Sequence, residues 1–247
     1  MRAMILAAGR GERMRPLTDA CPKPLLVAGG KPLIVWHLER LRDAGFVDIV
    51  INHAHLGAMI ETALGDGRRF GVQIRYSAEA EALETAGGIR HALPLLGNAP
   101  FLVINGDVFC DADPAALRRA GESLAAGRDL ALLLMVPNPA HHPAGDFRLD
   151  GRRLYRDGEP RFTFSGLGVY HPALFAALEP GVKAPLAPLL RDAMDAGKVA
   201  GMLHSGDWLD VGSPARLAEL DRRLHAGGRE PPERGAQAPV ETGKRHP

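Results

Sequence analysis

Cysteine is nearly absent from this chain, which has only Cys21 and Cys110. Two such residues make no disulfide framework and no metal-binding spacing, so free thiols in a reducing compartment are expected. Aromatic side chains are also few, at 5% of the sequence, and no cluster of them suggests the cage that a quaternary ammonium ligand requires. Long apolar runs are missing as well. The run from Met4 to Ala8 is too short for a signal-peptide core, and no window approaches a membrane span. Nor does one sign of charge dominate: 30 Lys and Arg against 29 Asp and Glu leave a formal net charge of +1. No overall field therefore points to nucleic acid or an acidic membrane surface. These absences predict a soluble cytoplasmic protein and leave its oligomeric state open.

At 247 residues the chain is long enough to bury a sizeable core. Apolar segments at Ala3 to Ala7, Ile49 to Asn52, Val72 to Tyr76, Phe101 to Ile104 and Leu130 to Val136 read as strands, several buried on both faces. Between them, Pro32 to Ala44, Leu56 to Leu64, Gly88 to Leu95 and Pro114 to Ala125 carry helical spacing. That alternation predicts β-α units and a mostly parallel sheet with right-handed crossovers. Further along, Phe147 to Arg156 alternates weakly, Phe162 to Tyr170 reads as a strand, and Ala184 to Ala196 and Pro214 to His225 read as helices. Residues 1–225 are expected to form one domain. From Ala226 the chain loses apolar periodicity and reads as a disordered tail over 226–247.

In such sheets ligands collect beyond the carboxyl ends of the strands. The first of these ends leads into Gly9-Arg10-Gly11, followed by Arg13, Arg15 and then Pro22-Lys23-Pro24. Phosphate oxygens are held well by backbone N–H groups where no Cβ intervenes, and glycine supplies that approach. Arg13 adds a planar fork and Lys23 a mobile point charge. A lone Gly-x-Gly is as readily a plain turn, but the basic cluster moves the reading to phosphate. The dinucleotide fingerprint is excluded because Met14 stands where its third glycine belongs, and no Gly-Lys-Ser/Thr follows to make a P-loop. A later strand end delivers Asn105-Gly106-Asp107. A carboxylate so placed suits a hard cation such as Mg2+.

The stretch Leu6-Ala7-Ala8-Gly9-x-Gly11-x-Arg13-Met14-x-Pro16-Leu17-Thr18, with Pro22-Lys23-Pro24-Leu25, resembles the signature of the sugar-1-phosphate nucleotidylyltransferases. These enzymes join a nucleoside triphosphate to a sugar 1-phosphate and release pyrophosphate. The resemblance implies their Rossmann-like three-layer α/β/α fold with a mostly parallel central sheet. It places Leu6, Ala8, Gly9, Gly11, Glu12, Arg13 and Lys23 around the nucleotide, with Lys23, Arg13 and Asp107 catalytic. Trp208-Leu209-Asp210-Val211-Gly212 is similar to the stretch that carries the second metal carboxylate, so Asp107 and Asp210 would share Mg2+, with Asp207 the weaker competitor. The segment Glu79 to Gly88 matches the loop that closes over base and ribose, implicating Glu81, Gly87 and Gly88. There Glu84 replaces the first glycine of a Leu-Gly-Thr-Ala-Gly pattern. That departure resembles the N-acetylmuramate 1-phosphate uridylyltransferases of peptidoglycan recycling more than the mannose 1-phosphate guanylyltransferases, and it implies UTP.

On the acceptor side the resemblance implicates Asn105, Gly145, Ser165 and Gly166. The family's Glu-Lys-Pro is missing; Glu159 is its weak substitute, and nothing replaces the lysine. His141 and His142, adjacent in a loop, are expected to face solvent in opposite directions. Three other functions stay open: another NDP-hexose synthase such as a guanylyltransferase, a CTP:phosphocholine cytidylyltransferase, and an inactive sugar-nucleotide sensor. The presence of Lys23, Asp107 and Asp210 together weighs against the last.

Overall fold

The structure, a computed structural model, describes residues 1–126 and 129–226. The stretch expected to be a disordered tail lies, after Ala226, outside the described residues. The strands are β1 (Ala3–Leu6), β2 (Val27–Ala28), β3 (Lys31–Pro32), β4 (Asp48–His53), β5 (Gln73–Ala78), β6 (Phe101–Asn105), β7 (Val108–Cys110), β8 (Ala131–Val136), β9 (Phe147–Asp150), β10 (Arg153–Tyr155), β11 (Arg161–Tyr170), β12 (Val199–Leu203) and β13 (Trp208–Asp210). The helices are α1 (Leu33–Asp43), α2 (Gly57–Leu64), α3 (Glu84–Leu96), α4 (Pro114–Ala126), α5 (Leu186–Asp195) and α6 (Pro214–Ala226).

A nine-stranded sheet runs in the order β5-β4-β1-β6-β11-β8-β12-β10-β9. Strands β5, β4, β1 and β6 are mutually parallel, as the β-α alternation requires. β11 runs antiparallel to both β6 and β8, which returns β8 and its parallel neighbour β12 to the direction of the first four. A β9–β10 hairpin closes the far edge, so the weakly alternating stretch from Phe147 is two strands joined by Gly151-Arg152.

Side-chain alternation along each strand builds the three layers. Ala3 and Ile5 of β1 pack with Ile34 and Leu38 of α1, Ile60 of α2 and Leu117 of α4 on one face. Met4, between them, packs on the other with Ile89 of α3 and with Leu186, Leu190 and Met194 of α5. Those α5 residues recur at helical spacing and make that helix strongly one-sided. A third cluster joins Met14 of the opening loop, Leu33 of α1, Leu209 and Val211 around β13, and Leu220 of α6. It ties the last helix of the chain to the first loop. No helix among the described residues is long and apolar enough to cross a membrane.

Candidate active site

β1 ends at Leu6, and the loop that follows is fixed by contacts that demand glycine at one position. Gly11 has φ +67°, and a Cβ there would lie 3.0 Å from Thr18 Cγ2 and 3.3 Å from Lys23 Cβ. The Thr18 hydroxyl donates to the Gly11 carbonyl at 2.8 Å and closes the loop on itself. Gly9 is different: an added Cβ would meet nothing within 4 Å, because this residue faces open space. Gly11 thus shapes the loop and Gly9 leaves room beside it. The turn Glu12–Met14 then buries Met14 and leaves Glu12 and Arg13 exposed.

Lys23 lies on a short 3-10 turn between two prolines, with its side chain only 9% exposed. Its Nζ donates to Asp107 Oδ2 at 2.6 Å. Asp107 is delivered by β6 through Gly106, whose N–H donates to the Leu6 carbonyl at 2.9 Å. A Cβ at Gly106 would come within 2.6 Å of that carbonyl oxygen, so only glycine lets the ends of β6 and β1 meet.

The second carboxylate is brought in by a two-stranded ribbon. β7, immediately after Asp107, pairs antiparallel with β13, and Asp210 faces Val108. The Val211 N–H donates to the Asp107 carbonyl at 2.8 Å, so one main-chain bond joins the two carboxylate-bearing strands at this end. Asp210 Oδ2 accepts from Arg216 Nη1 at 2.7 Å and lies 3.7 Å from His141 Nε2. Asp207 sits at the other end of the ribbon, paired with Arg223 at 2.8 Å. Cys110, Asp111 and His204 cluster at that far end too. There Asp111 and His204 pair at 2.6 Å, and burial pushes the Cys110 thiol up to about 11. Both cysteines are free thiols.

Three cavities adjoin at these residues. One, of about 520 Å³, lies along Gly9 to Met14 with Lys23, Asp107 and Gly212 on its wall. A second, of about 200 Å³, shares Gly9, Lys23 and Asp107 with it and adds Leu6, Ala8, Asn52, Glu84, Thr85 and Asn105. The third, of about 420 Å³, shares Glu84, Thr85 and Asn105 with the second and is completed by Asp146, Phe147 and Phe164. Lys23 and Asp107 therefore stand where the first two meet, and Asn105 where the last two meet.

The remaining residues expected at the site are more scattered. Glu81 is exposed and pairs with Lys183 at 2.9 Å, which holds its carboxyl below the usual range. The helix expected from Gly88 begins four residues earlier at Glu84, which places Gly87 and Gly88 inside its first turns, both buried. Glu84 itself has φ 59°, a left-handed conformation that explains why glycine is at home in that position. Ser165 is fully buried; its hydroxyl accepts from Leu167 N–H, and its carbonyl accepts from Trp208 Nε1 at 2.9 Å. Gly166, at φ +83°, lies against the Asn105 amide, 2.8 Å from where its Cβ would be. Gly145, at φ +63°, packs on the Asn138 amide. Glu159 is exposed in the turn before β11 and accepts from Arg161 N–H at 3.0 Å, apart from the three cavities.

Sequence reasoning missed Asn52 and Arg216, and it reached Thr85 and Asp146 only as members of the segments expected to meet the base and the sugar. Asp146 accepts from Phe164 N–H at 2.8 Å and is flanked by His142 at 3.1 Å. The adjacent histidines do point apart, each to a different aspartate, and both side chains stay substantially exposed. The one available signal was polarity at strand ends, as at Asn52 after Ile49-Val50-Ile51.

A family model described as Nucleotidyl transferase matches residues 2–150. Over 223 residues the chain is 56% identical to the N-acetylmuramate alpha-1-phosphate uridylyltransferase of Neisseria meningitidis serogroup B, covering 89% of this chain and 96% of that one. The chain belongs to the nucleotidyl transferase family. A relative of the same description from Caulobacter vibrioides is 35% identical over 233 residues, covering 90% of this chain and 96% of that one. A Bacillus anthracis protein crystallised with sucrose has the same fold, with TM-score 0.79 at 24% identity over 91% of this chain and 95% of that one. This nucleotidyl transferase is an enzyme of the sugar-1-phosphate nucleotidyltransferase class.

Proposed function

We propose that the chain transfers the uridylyl group of UTP to N-acetylmuramate 1-phosphate, with residues 1–225 acting as one catalytic domain. The observation that carries this reading is the Lys23–Asp107 pair at the junction of the glycine-loop cavity and the smaller cavity beside it. The named activity of the 56% identical relative supports the choice of base and sugar. Such a substrate belongs to peptidoglycan recycling in the cytoplasm.

The glycine loop with Arg13 takes the β- and γ-phosphates, since cationic and N–H donors line that cavity. The base and ribose occupy the cavity walled by Leu6, Ala8, Glu84 and Thr85. The acceptor sugar lies along Asn105, Asp146 and Phe164. Its phosphate oxygen attacks the α-phosphorus in line, the bond to the β-phosphate oxygen breaks, and pyrophosphate leaves with the electron pair. Lys23 sits where it neutralises charge on the α-phosphate, and the rest of the work is positioning. Asp107 and Asp210 are oxygen donors joined through Val211, a donor set that fits Mg2+. That ion would supply electrostatic stabilisation of phosphate charge.

A matrix of nucleoside triphosphates against sugar 1-phosphates, read by pyrophosphate release with Mg2+ present, tests the proposal. The expected maximum is UTP with N-acetylmuramate 1-phosphate. A maximum at GTP with mannose 1-phosphate, or at CTP with phosphocholine, replaces the substrate assignment.

A further inference from the structure

A chain of buried polar groups runs from the wall of the smaller cavity, which Ala7 and Asn52 line, into the protein. The Ala7 N–H donates to Asn52 Oδ1 at 3.0 Å, Asn52 Nδ2 donates to Glu79 Oε1 at 2.7 Å, and the Leu83 N–H donates to Glu79 Oε2 at 2.9 Å. Asn52 is 2% exposed and Glu79 7%. A carboxylate so buried is costly unless its oxygens are bonded, and both are. The amide orientation follows from this arrangement, because only the oxygen can accept from Ala7 and only the nitrogen can donate to Glu79. Gly88 is part of the same fit: a Cβ there would lie 2.8 Å from Glu79 Oε1 and 2.9 Å from Asn52 Nδ2.

The chain joins four separate segments: the start of the glycine loop, the end of β4, the residue after β5, and the approach to α3. Ala7 at one end lines the smaller cavity, and so do Glu84 and Thr85, which directly follow Leu83 at the other end. The Leu83 carbonyl accepts from Ala184 N–H at 3.0 Å, and the Ala184 carbonyl accepts from Ala86 and Gly87 N–H, each at 3.0 Å. Glu84 is therefore held in its left-handed conformation between fixed neighbours.

We propose that Asn52 and Glu79 are positioning residues for the nucleoside triphosphate: they set the spacing between the glycine loop and the wall at Glu84 and Thr85, so that the cleft for base and ribose is preformed. This rests on the reading of that cavity as the nucleotide site. Preorganisation lowers the ordering cost of binding, and although Glu84 and Thr85 border both this cavity and the acceptor's, Ala7 and Asn52 line only the nucleotide's, so loss of the chain falls chiefly on the nucleotide.

The polarity of the chain can be reversed without changing its shape, and that gives the test. Glu79→Gln sets an NH2 group against a donor, and Asn52→Asp sets two carboxylates against each other. In the double variant, the new carboxylate at position 52 would accept from both the Ala7 N–H and the new amide at position 79, whose oxygen would accept from the Leu83 N–H. Each single variant is expected to raise KM for UTP tenfold or more, with KM for the sugar 1-phosphate within twofold of the starting enzyme. The double variant is expected to return KM for UTP to within threefold. Urea unfolding of all four proteins separates loss of fold from loss of positioning. Singles with unchanged KM for UTP, singles that raise both KM values equally, or a double no better than its singles overturn the proposal. A starting enzyme that binds no nucleoside triphosphate in a direct titration removes the nucleotide reading itself.

Discussion

His37 of α1 is buried beneath the loop that carries Asp107, and burial lowers its pKa from 6.5 to about 4. Arg40 pushes in the same direction, while Asp107 and a hydrogen bond to the Val108 main chain oppose them. The native protein therefore keeps the ring neutral where the unfolded chain takes up a proton. Above pH 6.5 neither state gains a proton there; between 6.5 and about 4 only the unfolded state does, so stability falls as pH falls through that window. From pH 7 to pH 5 this group alone costs about 2 kcal/mol. Urea midpoints across that range should show the loss, and His37→Gln should flatten it; an unchanged acid limb in the variant refutes the assignment. At this scale the phosphate side was legible because glycine and cationic residues stand out directly after an apolar strand. Asn52 and Arg216 were not, because each acquires its role from partners that only the fold brings near, Ala7 and Glu79 for the one and His141 for the other.

Among the elements, the start of α3 shows how packing overrides local preference. Alanine is favoured over glycine in a helix interior by about 1 kcal/mol, so Gly87→Ala ought to stabilise α3. A Cβ at Gly87, however, would stand 2.5 Å from the Val182 carbonyl oxygen and 3.0 Å from the Ala184 nitrogen. Both are backbone atoms that no rotamer change can move aside. The clash should win, with a net destabilisation of about 1–3 kcal/mol, read as a lower urea midpoint at constant slope. Higher stability in the variant would show that the 182–184 segment yields. The strands and helices read in the first half lie close to where apolar periodicity puts them, although α3 starts four residues early and the short β2 and β3 were not read. β7, β12 and β13 did not show, since Val-Phe-Cys, Val-Ala-Gly-Met-Leu and Trp-Leu-Asp are too short or too small-sided to carry a pattern. The Gly151-Arg152 loop, with glycine at positive φ, was a hairpin signal that could have split the stretch from Phe147.

For the molecule as a whole, the sheet falls into two contiguous runs that meet where β6 pairs with β11. The glycine loop and Asp107 follow strands of the first run and Asn52 lies near the end of one, whereas Asp146 and Phe164 come from the second. A ligand that contacts both runs and the ribbon binds the native chain and not the unfolded one. UTP with Mg2+ at a hundred times its Kd should therefore add about 2.7 kcal/mol, a rise of roughly 5–10 °C in Tm. A thermal scan checks this, and a Tm indifferent to both ligands would contradict it. The α/β class and the parallel first run could be read from alternating elements. The antiparallel insertion of β11 could not, because strand order depends on contacts that no local pattern records.

That insertion also governs how the chain is made. β6 is complete at Asn105, yet its outer neighbour β11 is synthesised only at Arg161–Tyr170, after β8, which must lie beyond it. While the chain emerges from the ribosome, β6 presents an open row of N–H and C=O groups, and β8 has no place on the sheet to join. The nascent protein thus carries an unpaired apolar edge until Tyr170 has been added, and a ribosome stalled before that point holds the form most prone to aggregate.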